Sequence, residues 1–315
     1  MADKTKIVLS VGGMDDAFAH LAEELSKRAD VTIAGLDDYS LVGADIFIGK
    51  KMSAAKLEKA DKLKAVFAYK TGVDDFPLKE LGERNVKLFN SHVNAGYIAQ
   101  YAFALSAALV ARVAEFDRRM RQGDWATGDP HWKSIQYVKV GLVGYGHIGR
   151  EVARLMSACA IECYTIDRGG RYDIKTVKNL DELCKVCDIL VLSLPKTQAT
   201  DKMFDAHVFS LLKGKYIVNV GRGNCIDENA LYDALKSGTL AGAAIDAWNS
   251  KPVKGEKHIP FSVPLNTLDN IILSSHKAMM LADGHKKYVD DVLKSVNEYL
   301  DGREPDCLVD FNKGY

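Results

Sequence analysis

Three glycines carry the strongest chemical signal in the chain. Gly144, Gly146 and Gly149 form a G-x-G-x-x-G within VKVGLVGYGHIGREVARLM (residues 138–156), directly after an apolar strand pattern and directly before a helical one. The first glycine permits a tight turn, the second lets backbone reach a pyrophosphate, and the third lets helix and strand pack closely. The helix N-terminus then offers unpaired N–H groups and the positive end of its dipole to phosphate. Asp167 follows 18 residues after Gly149 (167 − 149), at the end of the next strand pattern. That is close to the about 20 residues expected for a carboxylate that accepts from a ribose 2′-hydroxyl. Such a carboxylate repels a 2′-phosphate, which points to NAD rather than NADP. Arg168 beside it is a group that could accept that phosphate.

Three further groups stand at strand ends downstream. Arg222 follows an apolar strand in IVNVGRGNCID, between Gly221 and Gly223. Ligands of doubly wound sheets sit outside the carboxyl ends of strands, and an arginine there offers a planar fork to a carboxylate. Asp246 ends the strand of AGAAIDAW, and His276 ends the last strand, in NIILSSHKAMM. A histidine so placed can carry a proton near neutral pH, although a satisfied structural histidine fits that residue alone equally well.

The elements that must position these groups read as an α/β fold. Apolar, β-branched runs at 6–10, 31–34, 45–49, 64–69 and 86–90 alternate with helical patterns such as 15–28 and 53–61. A second series has strands at 138–143, 161–166, 188–192, 216–220, 241–245 and 271–273, with helices such as 147–157, 201–212 and 228–236 between them. Strands separated by helices of 10–15 residues form βαβ units and parallel sheets. One long helix is expected over 95–121, its last turn carrying Arg118, Arg119 and Arg121, and a final helix over about 281–301. Residues 249–269 hold Pro252, Pro260 and Pro264 with no regular pattern; so long a loop in a compact domain is usually functional.

Composition bounds what the chain can be. It has 315 residues, 47% of them hydrophobic, and Lys+Arg 42 balances Asp+Glu 42. A neutral chain has no global field to draw in nucleic acid or an anionic membrane. The most apolar long stretch, residues 98–111, is shorter than the about 20 residues a membrane span needs, and reads as a buried helix or subunit interface. Six cysteines in a chain this long read as reduced thiols of a cytosolic protein rather than a disulfide scaffold. Cys184 and Cys187 form a lone C-x-x-C with no second ligand pair, so no metal site is expected; their spacing fits one helical turn ending at a strand.

The order of these pieces resembles the D-isomer-specific 2-hydroxyacid dehydrogenase family, which includes D-lactate, glycerate, phosphoglycerate, formate and phosphite dehydrogenases. The resemblance runs over nearly the whole chain, through AYKTGVDDFPL near Gly72, the G-x-G-x-x-G with Asp167, LSLPKTQATDKMF at 192–204, NVGRGNCIDENAL, GAAIDAW, NIILSSH and the closing KGY. It implies a Rossmann-type nucleotide domain (94–284) inserted into a flavodoxin-like substrate domain (1–93 plus 285–315), with the active site in the cleft between them. It implies that NAD lies against Gly144, Tyr145, Gly146, His147, Ile148 and Gly149, against Asp167 and Arg168, and against Leu194, Pro195, Thr200, Val220 and Gly221. By resemblance, Asp246 stands beside the nicotinamide amide, Arg222 grips the substrate carboxylate and carbonyl, and His276 is the acid/base. The backbone of Thr71, Gly72 and Val73 matches the loop that also holds the carboxylate, and a nest of N–H groups suits an anion. The implied partner is a small 2-oxo or 2-hydroxy acid, and the implied assembly a cytoplasmic homodimer.

One departure bears on the chemistry. Five residues beyond the strand-end aspartate the family usually has a glutamate before proline, which pairs with the histidine; here the string is DAWNSKP, with Lys251 before Pro252. A carboxylate near an imidazole favours its charged form and an ammonium disfavours it. Lys251 pointing to solvent, another acid such as Glu256 substituting, and altered chemistry are the three readings. With no carboxylate partner, reduction is expected to fade at lower pH than in relatives with the Glu–His pair. Gln100 stands where glutamate is often found; Tyr97 is a candidate cleft residue, and Lys70 a candidate partner for a second anionic group. The expectation is an NAD(H)-dependent oxidoreductase interconverting a small 2-oxo acid and its D-2-hydroxy acid. The alternatives are an NAD-sensing protein of the same fold and a dehydrogenase of formate or phosphite.

Overall fold

Strands form in this chain where β-branched and other apolar residues run unbroken, because both faces of a parallel sheet are covered by helices. A computed structural model describes residues 4–125, 132–250, 256–281 and 284–314. Its contacts divide into two units, Met1–Asn94 with Leu281–Tyr315, and Ala95–Met280.

The first unit holds β1 (Lys6–Val11), α1 (Asp16–Ser26), β2 (Asp30–Gly35), β3 (Ile46–Gly49), α2 (Ala54–Glu58), β4 (Ala65–Ala68), α3 (Leu78–Glu83) and β5 (Lys87–Phe89). All five strands are parallel, in the order β2-β1-β3-β4-β5, the flavodoxin-like order. The central β3 and β4 are buried throughout, whereas β2 lies at an edge and is half exposed. Helix starts follow local side-chain chemistry: Asp15 accepts from the Phe18 N–H and Ser53 from the Lys56 N–H.

The second unit opens with α4 (Ala95–Val110) and α5 (Val113–Arg121), then β6 (Val140–Val143), α6 (His147–Ala158), β7 (Cys163–Ile166), β8 (Lys175–Val177), α7 (Leu180–Val186), β9 (Ile189–Leu192), α8 (Ala206–Leu211), β10 (Tyr216–Asn219), α9 (Glu228–Lys236), β11 (Gly242–Ile245) and β12 (Ile271–Leu273). Its seven strands are parallel, in the order β12-β11-β10-β9-β6-β7-β8. The order reverses between β6 and β9, which makes the carboxyl ends of those strands the switch point where such sheets take ligands. The chain then returns to the first unit as α10 (Gly284–Leu300), whose Val289, Val292 and Val296 pack with Ile7 and Leu9 of β1.

The structure corrects two expectations. The helix expected over 95–121 breaks, with α4 and α5 meeting at 61°. Arg112 lies between them in the left-handed region (φ 57°), which no α-helix can pass through, and its guanidinium holds Glu115. The helix expected from residue 201 starts at Ala206, because Asp205 supplies the N-cap, residues 198–202 form a turn and Phe204 is held in a β-bridge with Ile226. The loop 249–269 is irregular except for a 3₁₀ turn at Leu265–Thr267, its residues 251–255 lying outside the described ones. Cys184 within α7 and Cys187 at its C-cap are both core residues, and burial pushes their thiols up to about 11 and about 12. Among the described residues no group of three His, Cys, Asp or Glu could hold a metal ion, and no single helix is long and apolar enough to cross a membrane.

The helix that follows the glycine motif ends in a Schellman turn: the Ile161 N–H donates to Met156 O and the Ala160 N–H to Ser157 O. Ala160 carries φ 58° there, a conformation that costs a residue with a Cβ about 1–2 kcal/mol and glycine almost nothing. Ala160→Gly is therefore expected to raise stability by roughly 0.5–1 kcal/mol net of the added freedom of the unfolded chain. An unfolding midpoint in urea moves upward if so; a lower midpoint contradicts the reading.

Candidate functional site

The loop between β6 and α6 is shaped by backbone packed against backbone. Gly144 has φ +101°, and its carbonyl accepts from the Ser193 hydroxyl at 3.1 Å. A Cβ on Gly149 would lie 2.1 Å from that same carbonyl oxygen, so only glycine brings α6 this close to the strand end. Gly146 is the N-cap of α6 and the reverse case: a Cβ there meets nothing within 4 Å. The open space lies in front of the helix N-terminus, where N–H groups and the dipole favour an anion.

Side chains fasten this loop to the one after β7. The Tyr145 hydroxyl donates to the Asp173 carboxylate, Arg150 lies over the Tyr145 ring, and Tyr172 packs beside it at 5.7 Å. Asp173 is held below its usual range by that hydroxyl, and the Tyr145 phenol is pushed up by burial and by Asp173. Burial and the neighbouring Arg150 cation lower the pKa of His147, which keeps its ring uncharged at neutral pH. Asp167 is exposed at the end of β7, with Oδ1 accepting from the Gly169 N–H at 2.8 Å. The Arg168 N–H donates to the Tyr172 hydroxyl at 2.7 Å.

Along the same edge of the sheet the loops after β9, β10, β11 and β12 follow in spatial order. Thr200 ties the 194–200 loop through its hydroxyl to Pro195 O at 2.7 Å, and a Cβ on Gly221 would lie 2.7 Å from the Leu194 N–H nitrogen. Val220 is buried beneath. Asn219 is fully buried, and its amide spans the turn that carries Arg222. Its Oδ1 accepts from the Gly221 N–H and its Nδ2 donates to Arg222 O, both at 3.0 Å. Sequence reading missed Asn219, since a strand-end asparagine looks like any turn residue until both ends of its amide are seen bonded. Arg222 itself is half-buried, with one guanidinium N–H to Gly221 O at 3.2 Å.

Asp246 ends β11 and is 2% exposed. It accepts from the Lys277 N–H at 2.8 Å, from the Ala278 N–H at 3.1 Å and from the Ser274 hydroxyl. His276 sits within that span, exposed, with φ 56°. Lys251, at the position where the family usually has glutamate, lies outside the described residues; Glu256 is exposed.

In the first unit, residues 71–73 follow the carboxyl end of β4. The Thr71 hydroxyl sits between Ser91 O and Asn94 Oδ1, each at 2.7 Å, and Asn90 Nδ2 donates to Thr71 O at 2.7 Å. The N–H groups of Thr71, Gly72 and Val73 meet no acceptor among the described residues. Lys70 pairs with Asp75 at 2.5 Å, which already occupies the cation that the sequence offered to a second anionic group.

A family model described as "D-isomer specific 2-hydroxyacid dehydrogenase, NAD binding domain" matches residues 103–278. The glyoxylate reductase of Korarchaeum cryptofilum (strain OPF8) is 30% identical over 269 residues, covering 82% of this chain and 79% of its own. The D-3-phosphoglycerate dehydrogenase of Haemophilus influenzae is 28% identical over 320 residues, covering 98% of this chain and 78% of its own. Among solved structures, the PH0520 protein from Pyrococcus horikoshii OT3 superposes with a TM-score of 0.84 at 26% identity, covering 99% of this chain and 96% of its own.

The residues present fit a dinucleotide: an open N-cap, a backbone cradle that excludes any Cβ, and an exposed carboxylate at the next strand end. Gly146→Ala, with nothing to collide with in the protein, is expected to leave the unfolding midpoint within about 0.5 kcal/mol of the parent. It should nonetheless weaken NADH binding about tenfold or more, because the methyl occupies the pyrophosphate approach. Gly149→Ala should lose stability and binding together. Fluorescence titration of Gly146→Ala with parent-like NADH affinity would contradict this placement.

Proposed function

The chain belongs to the D-isomer specific 2-hydroxyacid dehydrogenase family, and on that premise we propose that it interconverts a small 2-oxo acid and its D-2-hydroxy acid with NAD(H). The observation that carries this reading is the order of groups on one sheet edge. Arg222 after β10, Asp246 after β11 and His276 after β12 stand on neighbouring strands, in line with the glycine loop after β6. When bound, the nicotinamide supplies the hydride.

In reduction, the Arg222 guanidinium holds the substrate carboxylate in a bidentate grip and polarises the adjacent carbonyl. The backbone N–H groups of Thr71, Gly72 and Val73 add donors to the carboxylate. His276 gives its proton to the carbonyl oxygen as the carbon accepts the hydride, and in oxidation it takes that proton back. Asp246 stands beside the nicotinamide. Gly144, Tyr145, Gly146, His147, Ile148 and Gly149 form the pyrophosphate loop, and Leu194, Pro195, Thr200, Val220 and Gly221 flank the cofactor. Asp167 takes the adenosine ribose hydroxyls, with Arg168 alongside. We assign NAD over NADP because Asp167 opposes a 2′-phosphate and the nearest N–H groups, of Arg168 and Gly169, already donate to Tyr172 and Asp167.

The unit with the five-stranded sheet is assigned to the substrate and the unit with the seven-stranded sheet to the dinucleotide. A homodimer is the proposed assembly. In its support, Trp125 (77% exposed), Trp132 and Tyr137 present aromatic surface after α5, while α4 buries Ile98, Ala99, Ala102 and Leu105 in its own unit. The cytoplasm is the proposed compartment, in keeping with six free cysteines.

The test is NADH oxidation against a panel of 2-oxo acids, with Arg222→Gln and His276→Asn beside the parent chain. Turnover is expected with at least one acid. Arg222→Gln should lower kcat/KM about a hundredfold, the loss of roughly 3 kcal/mol of charged pairing, with NADH affinity unchanged. His276→Asn should lower kcat about 10²- to 10⁴-fold. NADH binding without turnover of any 2-oxo acid would favour a sensor and defeat the proposal.

A further inference from the structure

His276 holds a left-handed backbone conformation that residues with a Cβ rarely adopt. Such a residue persists only where its surroundings over-determine it. Here the chain is tied down on both sides of it to one buried carboxylate. Behind it, the Ser274 hydroxyl donates to Asp246 Oδ1; ahead of it, the Lys277 N–H donates to Oδ1 and the Ala278 N–H to Oδ2. Two more bonds fix Ser274 itself: its N–H donates to Ile245 O at 2.9 Å, and its carbonyl accepts from Trp248 Nε1 at 2.7 Å. The strap therefore has fixed feet at 274 and at 277–278, with His276 on the arch between.

The chain of bonds reaches one residue further. Ser274 Oγ lies 2.8 Å from the Tyr101 hydroxyl of α4. A serine hydroxyl has one hydrogen, and an ionised carboxylate can only accept, so the hydrogen of Ser274 is spent on Asp246. The contact must then run with Tyr101 donating. The order is Tyr101 to Ser274 to Asp246, all within the unit Ala95–Met280.

We propose that Tyr101, Ser274 and Asp246 are positioning residues that hold His276 in its left-handed conformation. An ionised carboxylate offers about four lone-pair sites, and three of them here go to the strap. The proposal rests on the reading of His276 as the acid/base.

The strap predicts how Asp246→Asn fails. Whichever way the amide turns, its NH₂ group faces an N–H donor of 277 or 278, and one foot of the arch is released. kcat should fall about a hundredfold while the dissociation constant for NADH, from fluorescence titration, stays within about threefold of the parent. The decisive comparison is a cycle with His276→Asn, a substitution chosen because asparagine tolerates the left-handed region. If Asp246 acts through His276, then Asp246→Asn costs nothing further in the His276→Asn background. Tyr101→Phe removes one hydroxyl, and should lower kcat about three- to tenfold at unchanged NADH affinity. It carries the test should Asp246→Asn not fold. A loss that appears as weaker NADH binding, a full additive loss in the His276→Asn background, or a Tyr101→Phe enzyme with parent kcat overturns the proposal alone. Parent turnover in His276→Asn overturns the acid/base reading and the proposal with it.

Discussion

Gly144 and Gly149 meet backbone to backbone: a side-chain carbon on the second would lie 2.1 Å from the carbonyl oxygen of the first. That close approach brings the N-terminus of α6 to the carboxyl end of β6, at the point where the strand order of the sheet reverses. The same device recurs between the loops after β9 and β10, where Gly221 lies against the backbone of Leu194. Two tight approaches thus lie on one edge of the sheet.

Charge is used locally on that edge, since the chain as a whole is balanced between 42 basic and 42 acidic residues. Two aspartates at strand ends show how environment divides the labour. Asp167 is exposed and spends one oxygen on its own turn, leaving a carboxylate that faces solvent. Asp246 is buried and bound by three donors, so its charge acts on the protein. Burying an ionised group is tolerable only when hydrogen bonds replace its water, and the strap around His276 supplies them.

The glycine spacing and the strand-end positions of Asp167, Arg222, Asp246 and His276 were legible in the sequence because position rests on residue type and spacing, whereas the roles proposed for them come from the family resemblance. Both sheets were legible for the same reason, as runs of buried apolar residues. What escaped depends on contacts between distant residues or on single dihedral angles. The break at Arg112 has no proline or glycine to announce it, and β8 is a three-residue edge strand, KTV, with no apolar run. Asn219 and Tyr101 matter through partners that only folding supplies, and no residue type marks His276 as left-handed. Lys251 was legible as a departure in charge from the family's usual glutamate.

The most direct measurement follows the isotope. The enzyme is supplied with NADH carrying deuterium at both C4 positions and with the 2-oxo acid it reduces fastest, and the product is analysed by NMR and by chiral chromatography. Direct hydride transfer on the arginine-clamped acid predicts one deuterium at C2 of a D-configured 2-hydroxy acid, with none lost to solvent. Product lacking that deuterium, or of L configuration, would contradict the account.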